Sequence, residues 1–338
     1  MQSIAYPAYS YWLAAGFIKS LPFRWCADPL DQGAYAKAYM ARRPVPTACL
    51  LRSGNSWLLL NEGRVMNYIT TEDNTKLYVK EWGTGRPVIL LHGWPLSCDS
   101  WDDQAMAIAG AGFRTIAYDR RGFGRSSQPW AGYDYDTLAD DLAAVIEATG
   151  AQDAVLVGFS MGGGEVARYM SRHGGKGVGR AVLVSSVVPY MLKTKDNPEG
   201  TDASVFEGMT KGIKEDRAKF FASFFKDFYG VGMVSHPTSQ QVVDWSCNVA
   251  MQASLKATLE CAKSFATTDF RPDLAAFKVP TLVIHGTDDK TVPIDASGRA
   301  AAIAIANATL IEYDGAAHGI LATHKEQVSK DLLDFIRR

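Results

Sequence analysis

The stretch Ala154–Gly164 reads A-V-L-V-G-F-S-M-G-G-G. An apolar run of strand character ends at Gly158, Ser160 stands between Gly158 and Gly162, and a helical pattern follows at once. Strand, sharp turn and helix must therefore succeed one another without a connecting loop. A turn so tight leaves no room for side chains two residues either side of the serine, so glycine occupies both places and the hydroxyl is lifted clear of the backbone. Ser160 is the candidate nucleophile.

The chain around this turn alternates between strand and helix. Leu77–Trp82 has the apolar alternation of a strand, and Val88–Leu91 is a short continuous apolar run suited to a buried parallel strand. A helix is predicted from a cap at Asp99 or Ser100 to about Gly110, a strand over Arg114–Tyr118, and a helix over Tyr133–Thr149. The elbow strand and its helix, Gly162–Arg172, come next, then a strand over Arg180–Ser185. After Val279–Pro280 the rhythm resumes with a strand at Thr281–His285, a helix at Ile294–Ala306, a strand at Thr309–Tyr313 and a closing helix at Thr323–Arg338. Such alternation implies an α/β fold with a mostly parallel, doubly wound sheet covered on both faces, and ligands outside the carboxyl ends of its strands. The loop D-R-R-G-F-G-R-S-S after Tyr118 is expected to expose its charges.

Between about residues 189 and 277 the alternation stops, and Phe206, Phe220, Phe221, Phe224, Phe225, Phe228, Tyr229 and Trp245 recur at mixed spacing. This stretch reads as a helical cap insertion over the sheet edge. Most of its aromatics are expected to pack on each other and on the sheet, and a minority to face Ser160 across an apolar pocket. Residues 1–65 differ in texture, with R-R-P-V-P and R-S-G-N and no sustained period. They are expected to form a poorly ordered extension. Met66 opens a domain-like pattern behind Glu62-Gly63, whose codons are purine-rich as in a ribosome-binding site, so it is an alternative start and 66–338 the folded domain.

A net charge of −1, without a Lys/Arg-rich run, gives no electrostatic reason for a nucleic-acid or membrane-surface partner. Cys26, Cys49, Cys98, Cys247 and Cys261 are odd in number and scattered, which argues against a disulfide framework and a zinc site and for a reducing, cytoplasmic setting. No run of 18 apolar residues suggests a membrane span.

A serine hydroxyl needs a base to take its proton and a third group to hold that base in one tautomer. His318, in G-A-A-H-G, is the one histidine of six in a small-residue loop after the last strand. His92 and His285 end strands before a glycine and are expected to tie loops to the backbone, while His173 and His236 read as surface residues. Either Asp288 or Asp289, in H-G-T-D-D, could orient His318. The oxyanion formed on attack needs two N–H donors: Met161, directly after the nucleophile, and Trp94 in H-G-W-P, since Pro95 has no N–H.

H-G-W-P-L-S, D-R-R-G-F-G-R-S-S-Q-P-W, Y-D-T-L-A-D-D-L, G-F-S-M-G-G-G-E-V-A-R-Y, H-G-T-D-D and G-A-A-H-G-I occur in this order from about Tyr68 to Arg338. In combination they resemble the α/β-hydrolase superfamily, in the chain order Ser, Asp, His. More narrowly they resemble its bacterial arylesterase and cofactor-free haloperoxidase, or perhydrolase, group. The resemblance implies a triad of Ser160, Asp289 and His318 with Trp94 and Met161 as oxyanion donors. It also implies acyl transfer through a seryl ester without cofactor or metal. The substrates would be a small ester and, for peracid formation, hydrogen peroxide and short carboxylic acids. Pro95 accompanies peroxide use in that group. A homo-oligomer is left open. An amidase or lactamase using the same triad, and a non-catalytic ligand-binding protein of the same fold, are the competing readings. Dehalogenases and epoxide hydrolases carry aspartate at the elbow, where this chain has Ser160.

Overall fold

The continuous apolar runs become the centre of a sheet. In a computed structural model, which describes residues 49–53, 56–60 and 67–338, eight strands line up in the order β10 (Ala308–Tyr313), β9 (Thr281–Gly286), β8 (Val178–Val184), β7 (Ala154–Phe159), β5 (Pro87–Leu91), β6 (Arg114–Tyr118), β4 (Lys76–Gly83), β3 (Tyr68–Thr70). The inner strands β5 (Pro87–Leu91), β7 (Ala154–Phe159) and β9 (Thr281–Gly286) are buried at every residue, as parallel strands covered on both faces must be. β6 (Arg114–Tyr118), β8 (Val178–Val184) and β10 (Ala308–Tyr313) complete the parallel set. β4 (Lys76–Gly83) runs antiparallel to β6 and keeps the alternation seen in its sequence, with Leu77 and Val79 inward. β3 (Tyr68–Thr70), a three-residue edge strand paired with β4, is too short to leave a periodic signal.

From β5 the chain steps to β6 on one side, then returns to β7 on the other. The loops after β5 and β7 therefore diverge at adjacent strand ends and open the crevice in which such sheets bind ligands.

The helices follow the predicted segments with local differences. Ser97, rather than Asp99 or Ser100, caps the first: its hydroxyl accepts from Asp99 N, and a single 3-10 turn at Cys98–Trp101 leads into α1 (Asp102–Gly110). Asp99 is drawn instead to Lys80 at 2.5 Å and Arg125 at 2.9 Å. α2 (Tyr135–Ala148) begins behind Asp134, which accepts from Thr137 N at 3.0 Å, and α3 (Met161–Arg172) follows the elbow. The predicted helix at 294–306 is a wide turn over Asp295–Arg299 and a single short helix, Ala300–Ala304. The closing helix is broken at His324 into Ile320–Thr323 and Lys325–Ile336.

The stretch at 189–277 is helical, with α4 (Ala203–Tyr229), α5 (Gln240–Gln252) and α6 (Leu255–Thr267). Asp202, Ser239 and Ser254 cap these helices by accepting from backbone N–H groups of the first turn. α4 is kinked at Asp216 (φ −156°, ψ 91°), whose carboxylate accepts from Lys219 N at 2.9 Å and so caps the second half as if it were a new helix.

The described chain falls into two units, Met1–Arg64 and Val65–Arg338. In the first, β1 (Cys49–Ser53) pairs antiparallel with β2 (Ser56–Leu60). The other expectations for 1–65, and that of a start at Met66, lie outside the described residues. Among the described residues no helix is long and apolar enough to cross a membrane.

Candidate active site

β7 delivers Ser160 into a left-handed backbone conformation, φ 54°, ψ −119°, which few non-glycine residues adopt. Its N–H bonds Val184 O at 2.8 Å, so the strained turn is held by the neighbouring strand. A Cβ on Gly158 would lie 2.5 Å from Gly162 O, and one on Gly162 would lie 2.5 Å from Leu91 O. Both glycines are thus required by close backbone approach, as the turn demands.

Ser160 Oγ lies 2.9 Å from His318 Nε2, and His318 Nδ1 lies 2.6 Å from Asp289 Oδ2. The carboxylate accepts only, so Nδ1 carries the proton and Nε2 faces the hydroxyl as an acceptor. Ser160 stands more than a hundred residues before Asp289 and His318, yet the three side chains meet because the loops after β7, β9 and β10 leave the same end of the sheet. Phe159 and Phe228 pack on the imidazole with ring centroids 5.2 Å and 4.8 Å away.

The geometry also separates the two aspartates left open by the sequence. Asp289 is 5 % exposed and turned inward, while the Asp288 side chain is 58 % exposed and lies 3.5 Å from Lys290 Nζ. Burial acts to raise the Asp289 carboxyl, but His318 and His285 beside it outweigh burial and hold it down at about 2.

Gly93, after β5, lies against Ser160: a Cβ there would sit 3.1 Å from Ser160 Cβ and 2.7 Å from the Phe159 ring. The Gly93 carbonyl accepts from Leu96 N at 3.0 Å and from the His92 ring at 2.9 Å. Trp94 N–H belongs to the same peptide plane and points the opposite way. Met161 N–H, at the first position of α3, has no acceptor within its own helix. Trp94 donates its indole N–H to Thr258 O at 3.0 Å and packs on Phe221, Phe224 and Phe265.

The loop Asp119–Ser127 departs from expectation. Asp119, Arg120 and Arg121 are buried, each at most 1 % exposed. Arg120 forms an ion pair with Glu165 of α3, which also accepts from Tyr118 OH at 2.7 Å, and donates to His92 O at 2.6 Å. Arg121 is bound by the carboxylate of Asp141, with both contacts at 2.6 Å. The two guanidinium groups are inside because their partners are, and those partners stand 45 and 20 positions away in the chain. Glu165 is a residue the sequence reading missed. Its signal was a charged side chain within the small-residue run G-G-G-E-V-A.

His92 ties its loop to the backbone, as expected. Its Nε2 accepts from Arg120 N at 3.0 Å and its Nδ1 donates to Gly93 O at 2.9 Å. Burial, then the nearby Arg120 guanidinium, lowers the imidazole from its ordinary 6.5 to about 3. Between those values the unfolded chain binds the proton and the folded one does not. The associated stability is therefore complete above pH 6.5 and is lost as pH falls toward 3. At pH 4 the loss is about 3 kcal/mol. Urea unfolding should show His92→Gln losing about that much less than the wild type between pH 7 and pH 4. Equal losses would remove His92 as the source.

A cavity of about 470 Å³ opens on Ser160. Phe206, Met209, Phe220, Phe224 and Phe265 supply apolar wall, with Lys290 and Asp227 also on its lining. Phe221, Phe225 and Phe228 are buried away from it. The aromatics of the insertion thus divide as expected, while Trp245 is 40 % exposed. Among the described residues no group of three His, Cys, Asp or Glu side chains is placed to hold a metal ion.

Comparison with known proteins agrees with this arrangement. The α/β-hydrolase-fold family matches residues 86–325. The chain belongs to the α/β-hydrolase family. Within it, this α/β hydrolase is 42 % identical over 275 residues to a non-heme chloroperoxidase of Kitasatospora aureofaciens, an alignment covering 81 % of this chain and 100 % of the relative. It is 43 % identical over 275 residues to a bifunctional esterase/perhydrolase of Acinetobacter calcoaceticus, covering 80 % and 100 %. The crystal structure of a bromoperoxidase from Bacillus anthracis superposes with a TM-score of 0.78 at 43 % identity, covering 80 % of this chain and 99 % of that one. The hydrolase thus falls in the non-haem haloperoxidase and perhydrolase group named by the sequence resemblance.

Proposed function

We propose that this hydrolase cleaves carboxylic esters through a seryl acyl-enzyme and also transfers the acyl group to hydrogen peroxide. The observation that carries the reading is the unbroken chain Ser160 Oγ, His318, Asp289, at 2.9 Å and 2.6 Å, opening on an apolar cavity. Ser160 Oγ attacks the ester carbonyl while His318 Nε2 takes its proton. The carbonyl oxygen becomes an oxyanion facing the N–H groups of Trp94 and Met161. Asp289 holds the imidazole in the required tautomer and faces the positive charge that forms on it. His318 returns the proton to the leaving alcohol, then activates water, and the acid departs.

With peroxide in place of water the product is a peracid. The peracid passes one oxygen to bromide in solution, giving hypobromite and the carboxylic acid, so halogenation follows from ester-type chemistry. The substrates of this reading are a small ester, short carboxylic acids and peroxide. The scattered free thiols, with Cys98 and Cys261 buried, accord with a cytoplasmic setting.

Bromination of a phenol indicator in acetate, peroxide and bromide tests the proposal. The wild type should brominate and Ser160→Ala should fall to the rate without enzyme. Equal bromination by the two proteins would contradict the peracid route.

A further inference from the structure

The mechanism above makes no use of a second histidine that touches the triad. His285 is the fifth residue of β9, fully buried, with Glu312 of β10 as its register partner. Beyond Gly286 the chain curls back, so that Val292 O comes to lie 2.9 Å from His285 Nε2. The same Nε2 lies 3.2 Å from Asp289 Oδ2. Both neighbours are acceptors, so Nε2 must carry the proton and share it between them.

The other ring nitrogen is left without a partner. His285 Nδ1 is buried and unpaired, and the backbone of Gly298 closes over it so tightly that a Cβ there would sit 2.7 Å away. An enclosed, unsatisfied nitrogen costs stability. A group needed only to fill space, or only to hold one carbonyl, would not require an imidazole at that cost. The carboxylate shows what the ring does. Oδ1 of Asp289 accepts from Thr291 N at 3.0 Å and Val292 N at 2.8 Å, Oδ2 accepts from His318 at 2.6 Å, and His285 Nε2 lies 3.2 Å from the same Oδ2. Three hydrogen bonds hold the two oxygens, and the two imidazoles bracket Oδ2.

We propose that His285 is a positioning residue of this enzyme, holding the Asp289 carboxylate on the axis of His318 by donating to the same oxygen. The proposal rests on the reading of Ser160, His318 and Asp289 as the reacting triad. Without His285, Oδ2 keeps one donor and the carboxylate can swing away from the imidazole. It also becomes more basic, which favours the protonated form of His318 and moves the acid limb of kcat/KM to higher pH. The other charged groups nearby are matched elsewhere. Glu312 and Asp295 are paired with Arg299 at 2.6 Å and 2.7 Å, and Asp288 faces Lys290 at 3.5 Å.

The test compares His285→Leu, which removes the donor, with His285→Gln, whose amide N–H can reach the same place, on p-nitrophenyl acetate. His285→Leu should lower kcat about 10- to 100-fold with KM nearly constant, and should raise the acid limb of the pH profile. His285→Gln should recover most of both. A His285→Leu enzyme with kcat within about twofold of wild type, or a folded Gln variant no better than Leu, would overturn the proposal. The wild-type protein decides if the Leu variant does not fold: ¹⁵N NMR should place the His285 proton on Nε2, and a proton on Nδ1 would overturn the assignment. Failure of the triad reading looks different, since Ser160→Ala would then retain turnover.

Discussion

Replacing Ser160 with alanine is expected to lower kcat for p-nitrophenyl acetate by at least about 10³-fold, with little change in thermal stability. The magnitude follows from what the hydroxyl does. In the proposed mechanism it is the atom that bonds to the acyl carbon, so without it only binding and the N–H groups of Trp94 and Met161 would remain to assist attack by water. The stability should hold because Ser160 Oγ has His318 as its one side-chain partner, and the turn is kept by backbone bonds to Val184 and by Gly158 and Gly162. Burst kinetics sharpen the result: the wild type should release one equivalent of nitrophenol as the acyl-enzyme forms, and the variant none. A variant within tenfold of wild type would remove Ser160 as the nucleophile.

The second large effect is expected from Asp289→Asn, at about 10⁴-fold in kcat. An asparagine of the same shape can offer its NH₂ to His318 Nδ1 and so stabilise the tautomer protonated at Nε2. That tautomer faces Ser160 with a donor and cannot take its proton. The N–H groups of Thr291 and Val292 both face Oδ1, so they hold the carboxamide oxygen there and turn its NH₂ toward the imidazole. KM should change little, since the carboxylate lies behind the imidazole, away from the cavity. With its carboxyl held at about 2, Asp289 in the wild type stays ionised down to that pH, so activity lost on acidification above pH 4 belongs to another group. Asp288→Asn is the control. That side chain is largely exposed, and its substitution should leave kcat unchanged.

Much of this arrangement could be read from the chain because close backbone approach restricts residue choice. Gly158 and Gly162 mark the elbow for a steric reason, and the buried parallel strands β5, β7 and β9 appear as unbroken apolar runs because both their faces are covered. The cap insertion was visible as the place where that rhythm stops. What escaped the sequence depends on partners far along the chain. Arg120 looks like a surface residue until Glu165 is placed beside it, and the hidden charge of Arg121 follows the same logic with Asp141. Choosing between Asp288 and Asp289 by physics needs the exact point at which β9 ends, because one residue reverses inside and outside. His285 shows the same limit. The spacing H-G-T-D-D suggests a loop tie, which the bond to Val292 O supplies, but the second contact to Asp289 exists only once the loop has curled back. The kink at Asp216 and the break at His324 are local choices between capping and continuing a helix, and periodicity runs through both.

The central claim is that three side chains and two backbone amides converge on one reacting carbon. A crystal structure of the enzyme after inactivation by a p-nitrophenyl phosphonate tests it most directly. The account predicts phosphorus bonded to Ser160 Oγ, with one phosphonyl oxygen about 3 Å from the N atoms of both Trp94 and Met161 and His318 still bonded to Asp289. Phosphorus on another residue, or a phosphonyl oxygen turned away from both amides, would contradict it.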